Sequence, residues 1–321
     1  MPPKPRVLVS RHLPPKVEAR LARDYDARLN PEDRLYATDE LLTLAEGCDA
    51  LLGCPTDKLN AETIQRLPAS IKALATFSVG HEHIDLQACK ARNIAVSNTP
   101  DVLTDATADI AMLLMLAAAR RAHEGEKLVR EKRWGSWAPT GMLGTHVTGK
   151  RLGIVGMGRI GQAVAKRARA FDMQILYSNR SRLKPELEQG ASYFANPDDM
   201  LPQCDFLSLH CPATPETVKF LNAARIAKLP DGAIVINTAR GAVVDDTALI
   251  QALTSGKLAA AGLDVFDGEP KVNPGYLPLE NAFLLPHVGS ATHDTRDAMG
   301  MRCLDNLDAF FAGRAMPHRV A

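Results

Sequence analysis

One short stretch constrains the fold of this 321-residue chain more than any other. Residues 152–155, Leu-Gly-Ile-Val, form an apolar run, and Gly156, Gly158 and Gly161 follow it with the spacing G-x-G-x-x-G. A helix-like amphipathic pattern begins directly afterwards. In such a unit the first glycine permits a tight turn, the second lets backbone amides approach a ligand, and the third lets helix and strand pack closely. The stretch therefore predicts a strand, a glycine turn and a helix that together form one unit of a parallel α/β fold.

Short apolar runs alternate with helix-like segments along the whole chain. The strand-like runs read RVLVS, ALLGC, ALATFS, IAVSNT, RLGIVGMG, QILYS, DFLSLHCP, AIVINTA and AAAGLDVF. Nearly continuous apolar strands that are separated by helices are typical of parallel sheets covered on both faces. The fold class predicted for the chain is therefore α/β.

Two positions suggest where the chain passes between domains. Thr99 and Pro100 resemble an N-cap and a first helical residue, and an almost uncharged helix pattern continues to Arg120. Further on, an apolar strand stops at Pro286 and a new helix is expected near Thr292. We therefore predict one domain over residues 100–287 and a second, discontinuous domain over residues 1–99 and 288–321. A ligand site is expected in the cleft between them.

Composition excludes several classes of function. Hydrophobic residues make up 46% of the chain, charged residues make up 23%, and the net charge is +1, so no basic field favours nucleic acid. The longest apolar run, residues 110–119, is too short to cross a membrane as a helix. Prolines near the N-terminus argue against a signal peptide. Six scattered cysteines without metal-like spacing predict reduced thiols in a cytoplasmic protein.

The glycine turn also predicts the ligand. The N-terminus of the following helix would face phosphates, which makes a dinucleotide the expected ligand, while the alternative is a tight turn without a ligand. An acidic residue about 20 positions downstream usually accepts hydrogen bonds from the ribose. Residues 178–182 are instead Ser-Asn-Arg-Ser-Arg, and Asp172 precedes the second strand.

Arginine at this place would pair with a 2′-phosphate, which a carboxylate would repel. The stretch therefore predicts NADP(H) over NAD(H), with NAD(H) still possible. Arg180 is the favoured partner because it lies nearest the strand end. The alternative is a solvated basic loop, since Arg182 and Lys184 continue the positive charge.

Three later segments end apolar runs with residues that can carry chemistry: Arg240 in NTARG, Glu269 in DVFDGEP and His287 in LPHVGS. A guanidinium can bind the carboxylate of a 2-keto acid through paired hydrogen bonds. An imidazole can protonate a carbonyl oxygen as hydride arrives, and a neighbouring carboxylate favours the imidazolium and fixes the ring. Taken singly, Arg240 could cap the sheet, Glu269 could lie on a solvated loop, and His287 could be an ordinary buried histidine.

These motifs, together with FSVGHEHIDL and NTPDVLTDATADIAMLLMLAAARR, resemble the D-isomer-specific 2-hydroxy acid dehydrogenases, closest to the glyoxylate/hydroxypyruvate reductase branch. The resemblance runs from about residue 50 to about residue 310. It implies two doubly wound parallel-sheet domains: a Rossmann-type cofactor domain and a flavodoxin-like substrate domain that is discontinuous in sequence. It also implies a homodimer, with Trp134 and Trp137 near the contact, that acts on a small 2-keto or 2-hydroxy acid.

The resemblance assigns roles to individual positions. Arg240, Glu269 and His287 match the catalytic set, and the amides of Val79 and Gly80, together with Arg240 and His287, match the substrate-binding groups. The expected cofactor contacts are Thr104, Gly156, Gly158, Arg159, Ile160, Gly161, Ser178, Asn179, Arg180, Ser181, Cys211, Pro212, Thr238, Ala239, Arg240, Asp264, His287 and Gly289.

Other interpretations carry less weight. His81, Glu82 and His83 lack further ligands for a metal site, and nothing near Cys211 would activate it as a nucleophile. A dehydrogenase for a larger substrate, such as 3-phosphoglycerate or a branched 2-keto acid, is the alternative enzyme. A non-catalytic dinucleotide-sensing protein of the same fold is the alternative from another class, and the complete catalytic set argues against it.

Overall fold

A computed structural model describes residues 3–321 of the chain; Met1 and Pro2, which belong to the N-terminal segment interpreted above, lie outside it. The described residues divide into two compact units. One unit contains residues 3–103 together with Ser290–Ala321, and the other is Thr104–Gly289. The domain limits predicted from the sequence, after residues 99 and 287, remain predictions. They lie a few residues before the limits of these two units.

The unit Thr104–Gly289 contains a seven-stranded parallel sheet in the order β12-β11-β10-β9-β6-β7-β8. Its strands are β6 (Arg151–Val155), β7 (Gln174–Ser178), β8 (Ser192–Tyr193), β9 (Phe206–Leu209), β10 (Ala233–Asn237), β11 (Leu258–Leu263) and β12 (Ala282–Leu284). Its helices are α5 (Thr104–Ala119), α6 (Ala122–Arg130), α7 (Arg159–Arg169), α8 (Pro185–Glu188), α9 (Pro197–Met200), α10 (Ala223–Lys228) and α11 (Asp246–Ser255). This strand order is that of a Rossmann fold with one added strand.

The other unit contains a five-stranded parallel sheet in the flavodoxin-like order β2-β1-β3-β4-β5. Its strands are β1 (Arg6–Val9), β2 (Asp26–Arg28), β3 (Ala50–Gly53), β4 (Ala73–Thr76) and β5 (Ala95–Ser97). Its helices are α1 (Pro15–Asp24), α2 (Thr38–Leu44), α3 (Ala61–Arg66), α4 (Leu86–Ala91) and α12 (His293–Phe311).

Both sheets bury both of their faces. In β10, Val235 packs into one hydrophobic cluster, whereas its neighbours Ile234 and Ile236 pack into a second cluster on the opposite face. In β1, Leu8 is likewise separated from Val7 and Val9, which pack on the other face. Alternate side chains of a strand point to opposite faces, so apolar residues at consecutive positions are what a doubly covered sheet needs.

One helix begins later than the sequence pattern predicts. The expected N-cap at Thr99 is wrong: α5 starts at Thr104, and Asp101 has a φ of +73°, which a right-handed helix cannot contain. The second expected start is confirmed, because Thr292 caps α12 and its hydroxyl accepts a hydrogen bond from the Thr295 N–H. The short strands β2 and β8 had no sequence signal. Among residues 3–321, no helix is long and apolar enough to cross a membrane.

Candidate active site in the unit Thr104–Gly289

Six strands of the seven-stranded sheet end in one row. The strand register aligns Ser178, Val155, Leu209, Asn237, Leu263 and Leu284. Strands β7 and β8 follow on one side of β6, whereas β10, β11 and β12 follow on the other side of β9. The direction of strand addition therefore reverses between β6 and β9. Ligands of open parallel sheets bind beyond the carboxyl ends of the strands at such a switch point. The glycine turn begins there, directly after β6.

The three glycines of this turn are required for three different reasons. Gly156 has a φ of +94°, and a Cβ atom there would lie 2.6 Å from the backbone nitrogen of Cys211. A Cβ atom on Gly161 would overlap the carbonyl oxygen of Gly156. At Gly158, which is the N-cap of α7, a Cβ atom would meet nothing within 4 Å. The first and third glycines are thus needed by the fold, whereas the space at Gly158 fits the close approach of a pyrophosphate.

The two arginines of the loop after β7 have different surroundings. The Arg182 guanidinium donates to both carboxylate oxygens of the buried Glu188, at 2.8 and 3.0 Å, and the Tyr177 hydroxyl donates to the same carboxylate at 2.5 Å. These contacts, Arg182 first, lower the pKa of Glu188. Arg180 is exposed, and no carboxylate among residues 3–321 is hydrogen-bonded to it, although its charge acts on Glu216. Asn179 accepts a hydrogen bond from the Met157 N–H at 2.7 Å, which ties this loop to the glycine turn.

Two of the predicted catalytic residues are in contact. Nδ1 of His287 lies 2.7 Å from Oε1 of Glu269, and both side chains are exposed enough to reach a ligand. His287 itself has a φ of +54°, a left-handed conformation that is uncommon for a residue other than glycine. With Nδ1 engaged by Glu269, Nε2 is the ring nitrogen that remains for a proton transfer.

Asp264 holds the backbone that follows His287. Its two carboxylate oxygens accept hydrogen bonds from the N–H groups of Val288 and Gly289, at 2.7 and 2.8 Å. The Thr107 hydroxyl donates to the Gly289 carbonyl at 3.2 Å. Burial raises the pKa of Asp264, and the two amide hydrogen bonds oppose that rise. Backbone strain at a functional residue persists only where neighbouring contacts enforce it, and these contacts do so at His287.

Arg240 is presented by a turn that Asn237 closes. The buried Asn237 side chain accepts a hydrogen bond from the Ala239 N–H at 3.0 Å and donates to the Arg240 carbonyl at 2.9 Å. A Cβ atom on the next residue, Gly241, would overlap the backbone of residues 266–267. The chain after Arg240 therefore packs directly on the segment that leads to Glu269.

A second histidine, His210, lies at the same edge, directly after β9. Its Nε2 is 2.8 Å from the Ser208 hydroxyl, and its Nδ1 is 3.3 Å from the Thr238 hydroxyl. Burial lowers the pKa of His210 to about 4, so the ring is neutral at pH 7. Burial also raises the pKa of the adjacent Cys211 thiol to about 11. Cys211 is therefore a thiol rather than a reactive thiolate at pH 7.

Sequence reasoning missed three residues that shape this edge: Asn237, His210 and Thr107. For the first two a signal existed, since each is a polar residue at or just after the end of an apolar strand. The remaining predicted contacts of this unit lie at strand or helix ends near the same edge: Thr104, Arg159, Ile160, Ser181, Pro212, Thr238 and Ala239. Val79 and Gly80 belong to the other unit, in the turn after β4. Among residues 3–321, no three His, Cys, Asp or Glu side chains are grouped to hold a metal ion.

Known proteins resemble this chain over nearly its whole length. Residues 112–289 match the family model of the D-isomer specific 2-hydroxyacid dehydrogenase, NAD binding domain. Glycerate dehydrogenase from Hyphomicrobium methylovorum is 45% identical over 320 residues, which covers 99% of each chain. Glyoxylate reductase from Thermococcus litoralis is 43% identical over 323 residues, covering 99% of this chain and 97% of that protein.

A solved structure is similar to the same extent. The NADPH-dependent glyoxylate/hydroxypyruvate reductase from Sinorhizobium meliloti, in complex with NADP and malonate, superposes with a TM-score of 0.89 at 33% identity. The match covers 99% of this chain and 97% of that one.

Proposed function

Because the chain belongs to the D-isomer specific 2-hydroxyacid dehydrogenases, we propose that it reduces small 2-keto acids, with glyoxylate and hydroxypyruvate as preferred substrates. The observation that carries this proposal is the contact of 2.7 Å between His287 and Glu269 at the carboxyl edge of the Rossmann sheet. An imidazole that is oriented by a carboxylate is suited to general acid catalysis. The names of the relatives, glyoxylate reductase and glycerate dehydrogenase, support the substrate class.

The residues of this chain divide the work of reduction among them. A bound nicotinamide dinucleotide supplies the hydride. His287 donates the proton from Nε2 to the ketone oxygen, while Glu269 holds Nδ1 and stabilises the charged ring that begins the step. Arg240 binds the substrate carboxylate through paired hydrogen bonds, and the N–H groups of Val79 and Gly80 bind it as well. Asp264 keeps the backbone after His287 in place, which fixes the direction of the ring.

The proposed cofactor preference is NADPH. A 2′-phosphate needs a positive partner at the end of β7, and Arg180 is exposed there, where its charge also acts on Glu216. Arg182 is a weaker candidate, because its guanidinium already donates hydrogen bonds to both carboxylate oxygens of Glu188. The similar reductase from Sinorhizobium meliloti is NADPH-dependent, which supports the same preference here.

The first experiment follows absorbance at 340 nm with glyoxylate and either NADPH or NADH. The wild-type chain should oxidise NADPH faster. Arg180→Asp should raise the KM for NADPH about tenfold or more, because it removes a charge-assisted contact and adds repulsion. Lys184→Asp, the same charge change four positions further along, is the matched control and should change little. Equal rates with both cofactors would leave the enzyme class standing and would reject the role of Arg180.

The proposed assembly is a homodimer formed through the segment that follows α6. Within this segment Trp134, Trp137 and Leu143 are 68%, 81% and 64% exposed, and exposed apolar patches mark interaction surfaces. The same segment lines a cavity of about 530 Å³. Trp137→Glu should halve the mass that light scattering measures, whereas Leu277→Glu, at a 69% exposed leucine elsewhere in the unit, should leave it unchanged. An undiminished mass for Trp137→Glu would reject this surface.

The proposed location is the cytoplasm. All six cysteines are free and buried, as expected of a protein that is kept in a reducing compartment.

A further inference from the structure

Hydrogen bonds from side chains to which no role has been assigned hold the turn after β4. Strand β4 lies inside the five-stranded sheet, between β3 and β5, and residues 78–81 follow its carboxyl end. This is the edge at which parallel sheets bind ligands. Our proposed function assigns the N–H groups of Val79 and Gly80 in this turn to the substrate carboxylate, and the present inference rests on that assignment.

Three consecutive carbonyl groups of the turn are engaged. The Ser78 carbonyl accepts a hydrogen bond from the Thr99 N–H at 2.9 Å. The Val79 carbonyl accepts one from Nδ2 of Asn98 at 2.7 Å. The Gly80 carbonyl accepts one from the Ser78 hydroxyl at 2.6 Å. None of these three bonds uses an N–H group of residues 79–81.

Fixing a carbonyl also fixes the N–H group of the next residue. A trans peptide unit is planar, and its C=O and N–H bonds point in opposite directions. The Thr99 bond therefore sets the direction of the Val79 N–H, the Asn98 bond sets that of the Gly80 N–H, and the Ser78 bond sets that of the His81 N–H. Successive backbone N–H groups in a turn can form a concave site for an anion.

The hydroxyl of Ser78 is itself fixed by a chain of hydrogen bonds. Because a carbonyl only accepts, the Ser78 hydrogen goes to Gly80, and the Thr76 hydroxyl, 2.8 Å away, must donate to Ser78. Thr76 then accepts from Nε2 of His83, at 3.1 Å, which assigns the proton of that ring to Nε2. Asn98 is also held in place, because its backbone carbonyl accepts a hydrogen bond from the buried Asn306 side chain at 3.4 Å.

We propose that Ser78 and Asn98 are positioning residues for the substrate carboxylate: they hold the Gly80 and Val79 carbonyls and so direct the N–H groups of His81 and Gly80 toward it. Neither side chain needs to touch the substrate. The His81 N–H becomes a further donor to the carboxylate, beyond the two amides of the proposed function. A pre-organised set of donors binds an anion without ordering the turn at the moment of binding.

The test compares two buried serines whose hydroxyl groups have different contacts. Ser78→Ala removes the bond to Gly80, whereas Ser97→Ala, in the adjacent strand β5, removes a buried hydroxyl that has no hydrogen-bond partner among residues 3–321. Ser78→Ala and Asn98→Ala should each raise the KM for glyoxylate about three- to tenfold, the usual effect of one neutral hydrogen bond. They should raise the inhibition constant of oxamate by the same factor, with kcat and the Kd of the dinucleotide unchanged. Ser97→Ala should match the wild type, and Ser78→Thr, which keeps the hydroxyl, should restore the KM.

Each other result overturns the inference in a distinguishable way. Unchanged KM in both variants, or a lower melting temperature with unchanged KM, would make the two side chains purely structural. Equal effects on the KM for glyoxylate and on the Kd of the dinucleotide would show a general loss of folding. A wild-type chain that reduces no 2-keto acid would overturn the proposed function, and this inference with it.

Discussion

Two halves of one sheet edge work in opposite ways. At the carboxyl ends of β6 and β7, the glycine turn lacks side chains: Gly156 and Gly161 are needed for packing, and Gly158 leaves open space for the proposed binding half of the site. At the ends of β10, β11 and β12 the edge carries polar side chains that are hydrogen-bonded to backbone: Asn237 to Ala239 and Arg240 of its own turn, and Asp264 to Val288 and Gly289 of a later segment. The glycine turn is thus encoded locally, whereas the proposed acid–base half joins distant segments, His287 with Glu269 and Asp264 with residues 288–289.

The largest effect should come from the acid–base half. His287→Ala should lower kcat about 10²- to 10⁴-fold, because the ketone oxygen loses its proton donor. The Kd of the dinucleotide, measured by fluorescence titration, should stay within about twofold if general acid catalysis is the main role of the ring. His293→Ala, at an exposed histidine at the start of α12, is the control. An unchanged kcat would remove His287 from the mechanism and would break the division between the two halves.

The next effect should come from the binding half and should leave stability intact. Gly158→Ala adds a methyl group where the protein offers open space, so the melting temperature should not change. The same methyl would crowd a bound pyrophosphate and should raise the Kd of the dinucleotide about ten- to a hundredfold. Gly161→Ala should show the reverse pattern, with a large loss of stability, because its methyl would overlap the Gly156 carbonyl. If Gly158→Ala binds the dinucleotide normally, the ligand does not approach this backbone.

A smaller effect should follow when the charge of Glu269 is removed but its shape is kept. Glu269→Gln still offers an oxygen to Nδ1 of His287, but a neutral hydrogen bond is weaker than one with a charged partner. We expect kcat for glyoxylate reduction to fall about tenfold, which corresponds to about 1.4 kcal/mol. A rate equal to that of the wild type would mean that Glu269 only orients the ring.

The smallest effect should come from His210, the histidine that lies between the two halves. Its pKa falls from the ordinary 6.5 to about 4, so between these values the unfolded chain binds a proton that the folded chain does not. This part of the stability is therefore complete above about pH 6.5 and is lost as the pH falls toward 4. His210→Gln should show a shallower loss of unfolding free energy from pH 6.5 to pH 4 in urea titrations. Parallel curves for the variant and the wild type would contradict the burial argument.

Much of the fold could be predicted from the sequence, because the signals were local. The strand over residues 174–178 is found where the run QILYS predicts it, and the α/β class with Rossmann-type and flavodoxin-like sheets is confirmed. The family predicted from the motifs is confirmed as well. The start of α5 was wrong, because the turn at Asp101 leaves no mark in the helix pattern. The roles of the site residues and the preference for NADPH stay predictions.

By itself the sequence determined the glycine turn, the apolar strands and the candidates for chemistry, because turn geometry and face alternation depend on residues that are close in the chain. Only the tertiary structure decided which of the two exposed arginines of residues 178–182 pairs with Glu188. It also decided that Asp264 enforces the left-handed conformation of His287 and that Asn98 holds the Val79 carbonyl. Those contacts join residues 6 to 24 positions apart, and the distance between their side chains is set only when the sheets and loops pack.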